Sequence, residues 1–287
     1  MKKQEAIIFW KKFGVQQSLV EQILIKKTGL NKSQFFLNDN LNLTKKDLQD
    51  LDWIFKKVAF WYPIEYVLEK AEFYWLDFYV DNRCLIPRND TEIMVKQAIQ
   101  EINNSSHKVF YIDVWTGSWA IAISVYKNSF QNIKNIFAID ISEDALEVSK
   151  KNLKIHNLED KIELKKSDLL SEIFNFFEKN NSKKLVITAN LPYIKNNDFW
   201  NMDKEVILYE PEIALYWWKK DWFELYEKLI FQCLKLKKDF DIEKIILFIE
   251  IWFDQKEVAE NFLEKNNLKY EIFKDNGRID RCIKIII

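Results

Sequence analysis

Residues 110–122, FYIDVWTGSWAIA, decide the fold class of this 287-residue chain. An apolar run typical of a buried strand contains Asp113, a short polar turn follows around Gly117, and a helical pattern begins near Ala120. A strand, an acidic residue, a tight turn and a helix, in that order, form the layout of a nucleotide-binding turn. We therefore expect an α/β fold with an open sheet and a ligand at the carboxyl ends of its strands.

The chain around this stretch alternates strand and helix patterns. The predicted strands cover residues 109–114, 136–140, 161–165, 184–189, 244–251, 269–274 and 281–287. Because parallel neighbours need a crossover helix, the alternation predicts a mostly parallel sheet. No helix separates the last two strands, so we expect the last strand to pair antiparallel.

Residues 1–70 are expected to form a small N-terminal helical domain. Apolar residues recur there at helical spacing, which is typical of a helical bundle. Thr28-Gly29 is a helix-stop signal, and Thr44 followed by Asp47 resembles a helix start. This region contains no catalytic motif, and we expect it to bind a partner.

Between the helical region and the α/β region, aromatic and β-branched residues predict a β-hairpin linker over 71–87. The predicted catalytic domain covers 88–287. Asn89 and Glu92 have the spacing of a capping box that opens a helix through Ile99. The polar turn in front of that helix also suits a loop that faces a substrate.

Composition narrows the class of protein. Lys and Arg number 43 against 44 Asp and Glu, so no overall basic field indicates nucleic acid as a direct partner. Three scattered cysteines favour the reducing cytoplasm and predict neither disulfides nor zinc, and no other pattern predicts a metal site. No apolar run is long enough for a signal peptide core or a membrane span. We expect a cytoplasmic monomer.

A second stretch, residues 185–194 (LVITANLPYI), places polar chemistry just after a predicted strand. Asn190 offers an oxygen that can accept a hydrogen from a planar NH₂ group, and Pro192 holds the turn rigid. Only the backbone carbonyl is needed at Leu191, while Tyr193 offers a flat surface for a flat substrate. An ordinary strand-to-helix connection is the alternative interpretation.

Both stretches resemble motifs of S-adenosylmethionine (AdoMet) enzymes. Residues 190–193 are similar to the Asn-Pro-Pro-Tyr turn of enzymes that methylate planar nitrogens. This similarity implies catalytic and substrate-binding roles for Asn190, Leu191, Pro192 and Tyr193. Residues 110–122 resemble the glycine-rich AdoMet loop. The cofactor-binding residues that this implies in and beside the loop are Asp113, Trp115, Thr116, Gly117, Ser118 and Trp119, with Asn190 also beside the cofactor.

Two further acidic positions follow strands. Asp140 can accept both hydroxyls of a ribose, or it can cap the next helix, for which Ser142 is an equal candidate. The resemblance places Asp168 near the adenine amine and Leu169 against the adenine ring. A surface Asp beside a core Leu is the alternative for that pair.

From Phe60 onward the chain is similar to the HemK/PrmC family, the release-factor glutamine methyltransferases. The similarity implies a Rossmann-like class I methyltransferase sheet. It also implies methylation of the glutamine in the Gly-Gly-Gln loop of class I peptide-chain release factors. Leu191 and Asn89 depart from family prolines, and Glu69 from a common glycine. The matching segments are residues 61–66, 73–78, 210–223, 250–252 and 274–281.

Tryptophan occupies eight positions where that family has glycine: Trp61, Trp75, Trp115, Trp119, Trp217, Trp218, Trp222 and Trp252. The chain has only four glycines but 11 tryptophans. Random substitution would not select one bulky residue eight times. Our hypothesis is that the gene uses UGA for glycine and was translated with UGA as tryptophan.

Two other functions fit the same residues. A methyltransferase acting on an exocyclic amine of adenine or guanine would use the same turn on a flipped base. A catalytically inactive binding module would result if the tryptophans of the cofactor loop are genuine, because a bulky side chain obstructs close approach of a cofactor to the backbone.

Overall fold

The structure, a computed structural model, describes residues 2–177, 184–194, 202–216 and 223–287. The described residues divide into two compact units. One lies within Met1–Lys70 and Asn201–Glu210, and the other within Ala71–Trp200 and Pro211–Ile287.

Helices and strands follow one another in the order that the sequence predicts. The α-helices are α1 (Lys3–Lys11), α2 (Gln17–Thr28), α3 (Lys32–Leu37), α4 (Lys45–Ala59), α5 (Ile64–Leu68), α6 (Glu92–Asn103), α7 (Ala120–Ser129), α8 (Glu143–His156), α9 (Phe174–Phe177), α10 (Lys204–Tyr209), α11 (Glu212–Leu215), α12 (Glu224–Asp239) and α13 (Lys256–Lys265). The strands are β1 (Ala71–Phe73), β2 (Leu76–Phe78), β3 (Val109–Val114), β4 (Ile133–Asp140), β5 (Glu163–Lys166), β6 (Lys184–Ala189), β7 (Lys244–Glu250), β8 (Lys269–Lys274) and β9 (Asp280–Ile286).

The first unit is helical, and its predicted helix ends are confirmed. Gly29 ends α2 in the left-handed conformation with φ of 68°. The Thr44 side chain accepts from the Asp47 N–H and the Asp47 carboxylate accepts from the Thr44 N–H, which is a capping box at the start of α4. Trp10 of α1 stacks on Phe55 of α4 in the core of this unit, with ring centroids 5.1 Å apart.

The second unit contains a seven-stranded sheet in the order β5-β4-β3-β6-β7-β9-β8. Strands β3 to β7 are parallel, whereas β9 runs antiparallel to both β7 and β8. The predicted fold is thereby confirmed. Every residue of β3 is buried, as expected for a central strand covered by helices on both faces. Because β4 and β6 flank β3, the residues after these three strands meet at one edge of the sheet.

The start of α6 differs from the expected capping box. Asn89 begins a short 3₁₀ turn, α6 then runs from Glu92 to Asn103, and the N-cap residue Thr91 makes no capping side-chain bond. The Glu92 carboxylate instead accepts from the backbone N–H of Tyr74, at 2.9 Å. The prediction was wrong because a partner 18 residues away in the sequence takes the acceptor on which the capping box depends.

Candidate active site

A cavity lies at the carboxyl ends of β3, β4 and β6. Its volume is about 60 Å³. Six of the residues that the sequence singles out line it: Trp115, Thr116, Gly117, Ser118, Asp140 and Asn190. The structure therefore brings the predicted cofactor loop, the acidic residue after β4 and the amide after β6 to one place.

The loop after β3 is held by backbone and carboxylate bonds. The N–H groups of Trp115 and Thr116 both donate to the carbonyl oxygen of Ile139, at 2.8 and 3.1 Å. The Gly117 N–H donates to Asp140 Oδ2 at 2.9 Å. These hydrogen bonds hold the loop against the end of β4 and place the loop backbone close to the cavity.

Four of the tryptophans at glycine-like positions adopt backbone angles that favour glycine. Trp61, Trp75, Trp115 and Trp119 have φ of 70°, 60°, 64° and 73°. A residue with a Cβ is strained in this left-handed region, by roughly 1–2 kcal/mol. The two tryptophans within α1 and α4 lie in ordinary helix, so among the described tryptophans a positive φ occurs only at glycine-like positions.

The side chain of Trp119 also fits poorly. Trp119 is fully buried, and its Nε1 has no hydrogen-bond partner within the described ranges. Trp252 does not have a positive φ, and its indole stacks on Tyr193 with ring centroids 5.6 Å apart. Three of the eight positions lie outside the described residues: Trp217, Trp218 and Trp222.

Two buried carboxyl groups organise this edge of the sheet. Asp140 accepts from the N–H groups of Gly117 and Ser142, and burial raises its pKa to about 6. Asp113 accepts from the hydroxyls of Thr116, at 2.5 Å, and Thr188, at 2.6 Å, and burial raises its pKa to about 7. Ser142, not Asp140, caps α8, because its Oγ accepts from the N–H of Ala145.

The turn after β6 points Asn190 at the cavity and the next residues into the core. Asn190 Nδ2 donates to Thr91 Oγ1 at 3.5 Å. Leu191 is buried, and its N–H donates to the Tyr226 hydroxyl at 3.1 Å. The Tyr193 hydroxyl donates to Glu250 Oε1 at 3.0 Å. These bonds fix the turn, so that Asn190 is the member of the tetrapeptide that lines the cavity.

Relatives named release factor glutamine methyltransferase match most of the chain. The protein of Clostridium acetobutylicum is 34% identical, over 77% of this chain and 74% of that protein. The protein of Dictyoglomus turgidum is 32% identical, over 96% of this chain and 94% of that protein. The chain belongs to the release factor glutamine methyltransferase family. The predicted AdoMet-dependent methyltransferase is thereby confirmed.

Two other comparisons agree with the fold of this family member. The sequence model of the ribosomal protein L11 methyltransferase (PrmA) family matches residues 89–193. The human METTL16 catalytic domain, solved with a MAT2A 3′UTR hairpin, superposes with a TM-score of 0.57 at 14% identity, over 80% of this chain and 79% of that domain. At that identity the superposition shows the fold alone.

The remaining predicted site residues of this methyltransferase do not line the cavity. Asp113 lies behind it and bonds the two threonines, and Trp119 lies in the core. Asp168 pairs with Lys228 at 2.6 Å, beside the buried Leu169. Leu191, Pro192 and Tyr193 form the turn around Asn190. The roles assigned to these seven, like those assigned to the six that line the cavity, stay predictions.

Several lining residues were missed from the sequence. Arg83, Cys84 and Leu85 lie in the irregular segment after β2, and no motif marks them. Ile213 and Ala214 of α11 also line the cavity, and their signal was the similarity of residues 210–223 to the family. Thr91 lines it as well, although the sequence offered Asn89 and Glu92 as the polar residues of that turn.

The raised pKa values predict how pH acts on the ligand-free methyltransferase. Because burial lifts the pKa of Asp140 from 3.8 to about 6 and that of Asp113 to about 7, the folded protein binds these protons more tightly than the unfolded chain. Their stabilising contribution is complete below pH 3.8 and is lost as pH rises through 6 and 7. Each group can lower the free energy of unfolding by up to about 1.4 kcal/mol per pH unit in that window.

Asp140→Asn tests this assignment. In urea unfolding between pH 4 and 8, the free energy of unfolding of the original chain should fall relative to that of the variant as pH rises, because the variant lacks the loss caused by ionisation of Asp140. The lowered pKa of His156 gives an opposite slope, but it is common to both proteins and cancels in the difference. Parallel curves would contradict the raised pKa of Asp140.

Proposed function

We propose that this chain transfers the methyl group of AdoMet to the side-chain amide nitrogen of the glutamine in the Gly-Gly-Gln motif of class I peptide-chain release factors. One observation carries the proposal: Asn190 lines the same cavity as Asp140 and the loop after β3. An acceptor for a planar NH₂ group is thereby placed beside groups that suit a nucleoside.

The polar groups around the cavity suit AdoMet. With tryptophan at position 115, however, the cavity is too small to hold AdoMet. Asp140 offers carboxylate oxygens for ribose hydroxyls, and Gly117 and Ser118 bring backbone to the cavity wall. Pockets for small molecules have volumes of roughly 300–1,000 Å³, against about 60 Å³ here. Glycine at 115 would remove a buried indole from the wall.

The residues after β6 perform the substrate side of the reaction. An amide nitrogen is a weak nucleophile because its lone pair is delocalised into the carbonyl. Asn190 Oδ1 and the Leu191 carbonyl accept the two N–H hydrogens, which orients the nitrogen and stabilises the positive charge that develops on it. AdoMet supplies a methyl group on a sulfonium. The amide then loses one proton to solvent and becomes an N-methyl amide.

The first unit is proposed to hold the release factor. Its surface exposes two large aromatic side chains, Trp53 (59% exposed) and Phe60 (71%). Lys57 Nζ lies 3.8 Å from the ring centroid of Trp53, so the surface is both apolar and basic. This assigns partner binding to residues 1–70, the linker to 71–87 and catalysis to 88–287.

The proposed setting is the cytoplasm, with the chain acting as a monomer and without direct contact to nucleic acid. Cys84, Cys233 and Cys282 are buried and form no disulfide within the described residues, as is usual for proteins of reducing compartments. Among the described residues, no helix combines the length and the apolar character that crossing a membrane requires.

Methyl transfer to a release factor tests the proposal. The chain carrying glycine at its eight glycine-like tryptophan positions is incubated with methyl-labelled AdoMet and a class I release factor. We expect label in the release factor, and no label when the glutamine of its Gly-Gly-Gln motif is changed to alanine. Label in tRNA, rRNA or DNA, with none in the release factor, would instead support the nucleic-acid amine methyltransferase.

A further inference from the structure

The Asn190 amide is bonded on one side only. Its Nδ2 donates to Thr91 Oγ1, and among the residues that the structure describes its Oδ1 has no hydrogen-bond partner. A planar amide whose NH₂ group is held in this way presents its oxygen in another direction. The opposite orientation would need the Thr91 hydroxyl to donate to Oδ1, so the hydrogen of Thr91 decides which way the amide lies.

Glu250 is the group that can take that hydrogen. It ends β7, beside β6, and is 2% exposed. Its Oε1 accepts from the Tyr193 hydroxyl, whereas its buried Oε2 has no hydrogen-bond partner in the described part of the chain. Glu250 follows Ile249, the partner of Ala189, so it lies at the same strand end as Asn190, whose amide contacts Thr91. The Thr91 hydroxyl also lowers the pKa of the Glu250 carboxyl, which burial raises. A carboxylate is only an acceptor.

The turn that carries Thr91 is itself anchored. Arg281 of β9 is 5% exposed, and its guanidinium contacts Asp90 at 3.2 Å and Asp275 at 3.2 Å. Arg281 also counteracts the pKa rise of Glu250. The same cation therefore fixes the residue before Thr91 and favours the ionised, acceptor form of Glu250.

We propose that Thr91 and Glu250 are positioning residues that set the orientation of the Asn190 amide. Glu250 accepts the Thr91 hydrogen, Thr91 Oγ1 accepts an Nδ2 hydrogen of Asn190, and Oδ1 is left to accept from the substrate. The consequence for catalysis rests on the proposed function, but the orientation of the amide does not.

The test compares Thr91→Val, which removes the hydroxyl at nearly constant volume, with Thr91→Ser, which keeps it. In the chain with glycine at positions 115 and 119, we expect Thr91→Val and Glu250→Gln to lower kcat for release-factor methylation by roughly 10- to 100-fold. The KM for the release factor and the Kd for AdoMet should change less than about threefold, and Thr91→Ser should keep kcat within about threefold.

A second measurement needs no substrate. In the unaltered chain labelled with ¹⁵N-asparagine, the side-chain NH₂ signals of Asn190, identified by their loss in Asn190→Ala, should shift in Thr91→Val and stay in place in Thr91→Ser. Unshifted signals, or a kcat loss as large in Thr91→Ser as in Thr91→Val, would overturn the inference. Absence of methylation by the parent chain would refute the proposed function alone, because the NMR signals still report the orientation.

Discussion

Replacing Trp115 and Trp119 with glycine is expected to raise the affinity for AdoMet by more than about 100-fold, or about 2.8 kcal/mol. Trp115 is buried at the wall of the cavity, and both residues have φ above 60°. Glycine at 115 widens the cavity and exposes backbone to the cofactor, while glycine at 119 relieves strain at the start of α7.

The effect on stability has opposing parts, so affinity is the better measurement. Each left-handed tryptophan costs roughly 1–2 kcal/mol, and the unpartnered Nε1 of Trp119 costs about 1–3 kcal/mol. Against this, the fully buried indole of Trp119 contributes apolar contacts to the core that glycine removes. Calorimetric titration with AdoMet reports the change at the cavity directly.

Trp53→Gly is the matched control. Trp53 lies within α4 and is 59% exposed, so glycine there should cost about 1 kcal/mol of stability through helix propensity. It should leave the affinity for AdoMet unchanged. If the double glycine variant binds AdoMet no better than this control, the tryptophans are not what restricts the cavity.

The codons of the gene should separate the tryptophans at glycine-like positions from the ordinary tryptophans. We expect UGA at Trp61, Trp75, Trp115 and Trp119, whose backbones favour glycine, and UGG at Trp53. Peptide masses of the protein from its own cells should then show glycine at the UGA positions. UGG codons at Trp115 and Trp119 would contradict a reassigned codon and favour a divergent binding module.

The sheet could be predicted from sequence where burial makes the pattern strong. The predicted bounds of β3 and β6, whose residues are almost all buried, agree with the structure. Those of the edge strand β8 also agree, although none of its residues is buried. The edge strand β5 was expected at 161–165 but covers Glu163–Lys166. Its residues are exposed or half-buried, so no apolar face marks its register.

The site was predictable only where one local segment carries the signal. The loop after β3 and the turn after β6 are contiguous motifs, and the structure brings them together at the cavity. Glu250, by contrast, ends an apolar strand, and its relation to Thr91 depends on how β7 pairs with β6 and on how the turn before α6 is held. Neither dependence is visible in the spacing of residues along the chain.

Asn190→Ala is expected to lower kcat for release-factor methylation by roughly 100- to 1,000-fold, the loss typical of removing one preorganised group at a developing charge. The side chain lines the cavity, and its Oδ1 has no hydrogen-bond partner within the described ranges, whereas Leu191 and Tyr193 are held by Tyr226 and Glu250. Alanine therefore removes the acceptor without releasing the turn.

The AdoMet affinity separates this role from a structural one. Asp140 and the loop after β3 remain in place in Asn190→Ala, so the Kd for AdoMet should change less than about threefold. Asn132→Ala is a suitable control, because Asn132 precedes β4 at the opposite end of the sheet and should leave both kcat and Kd unchanged. A parallel loss of kcat and AdoMet affinity in Asn190→Ala would mean that Asn190 shapes the cofactor pocket. The acceptor for the glutamine amide would then have to be a backbone carbonyl alone.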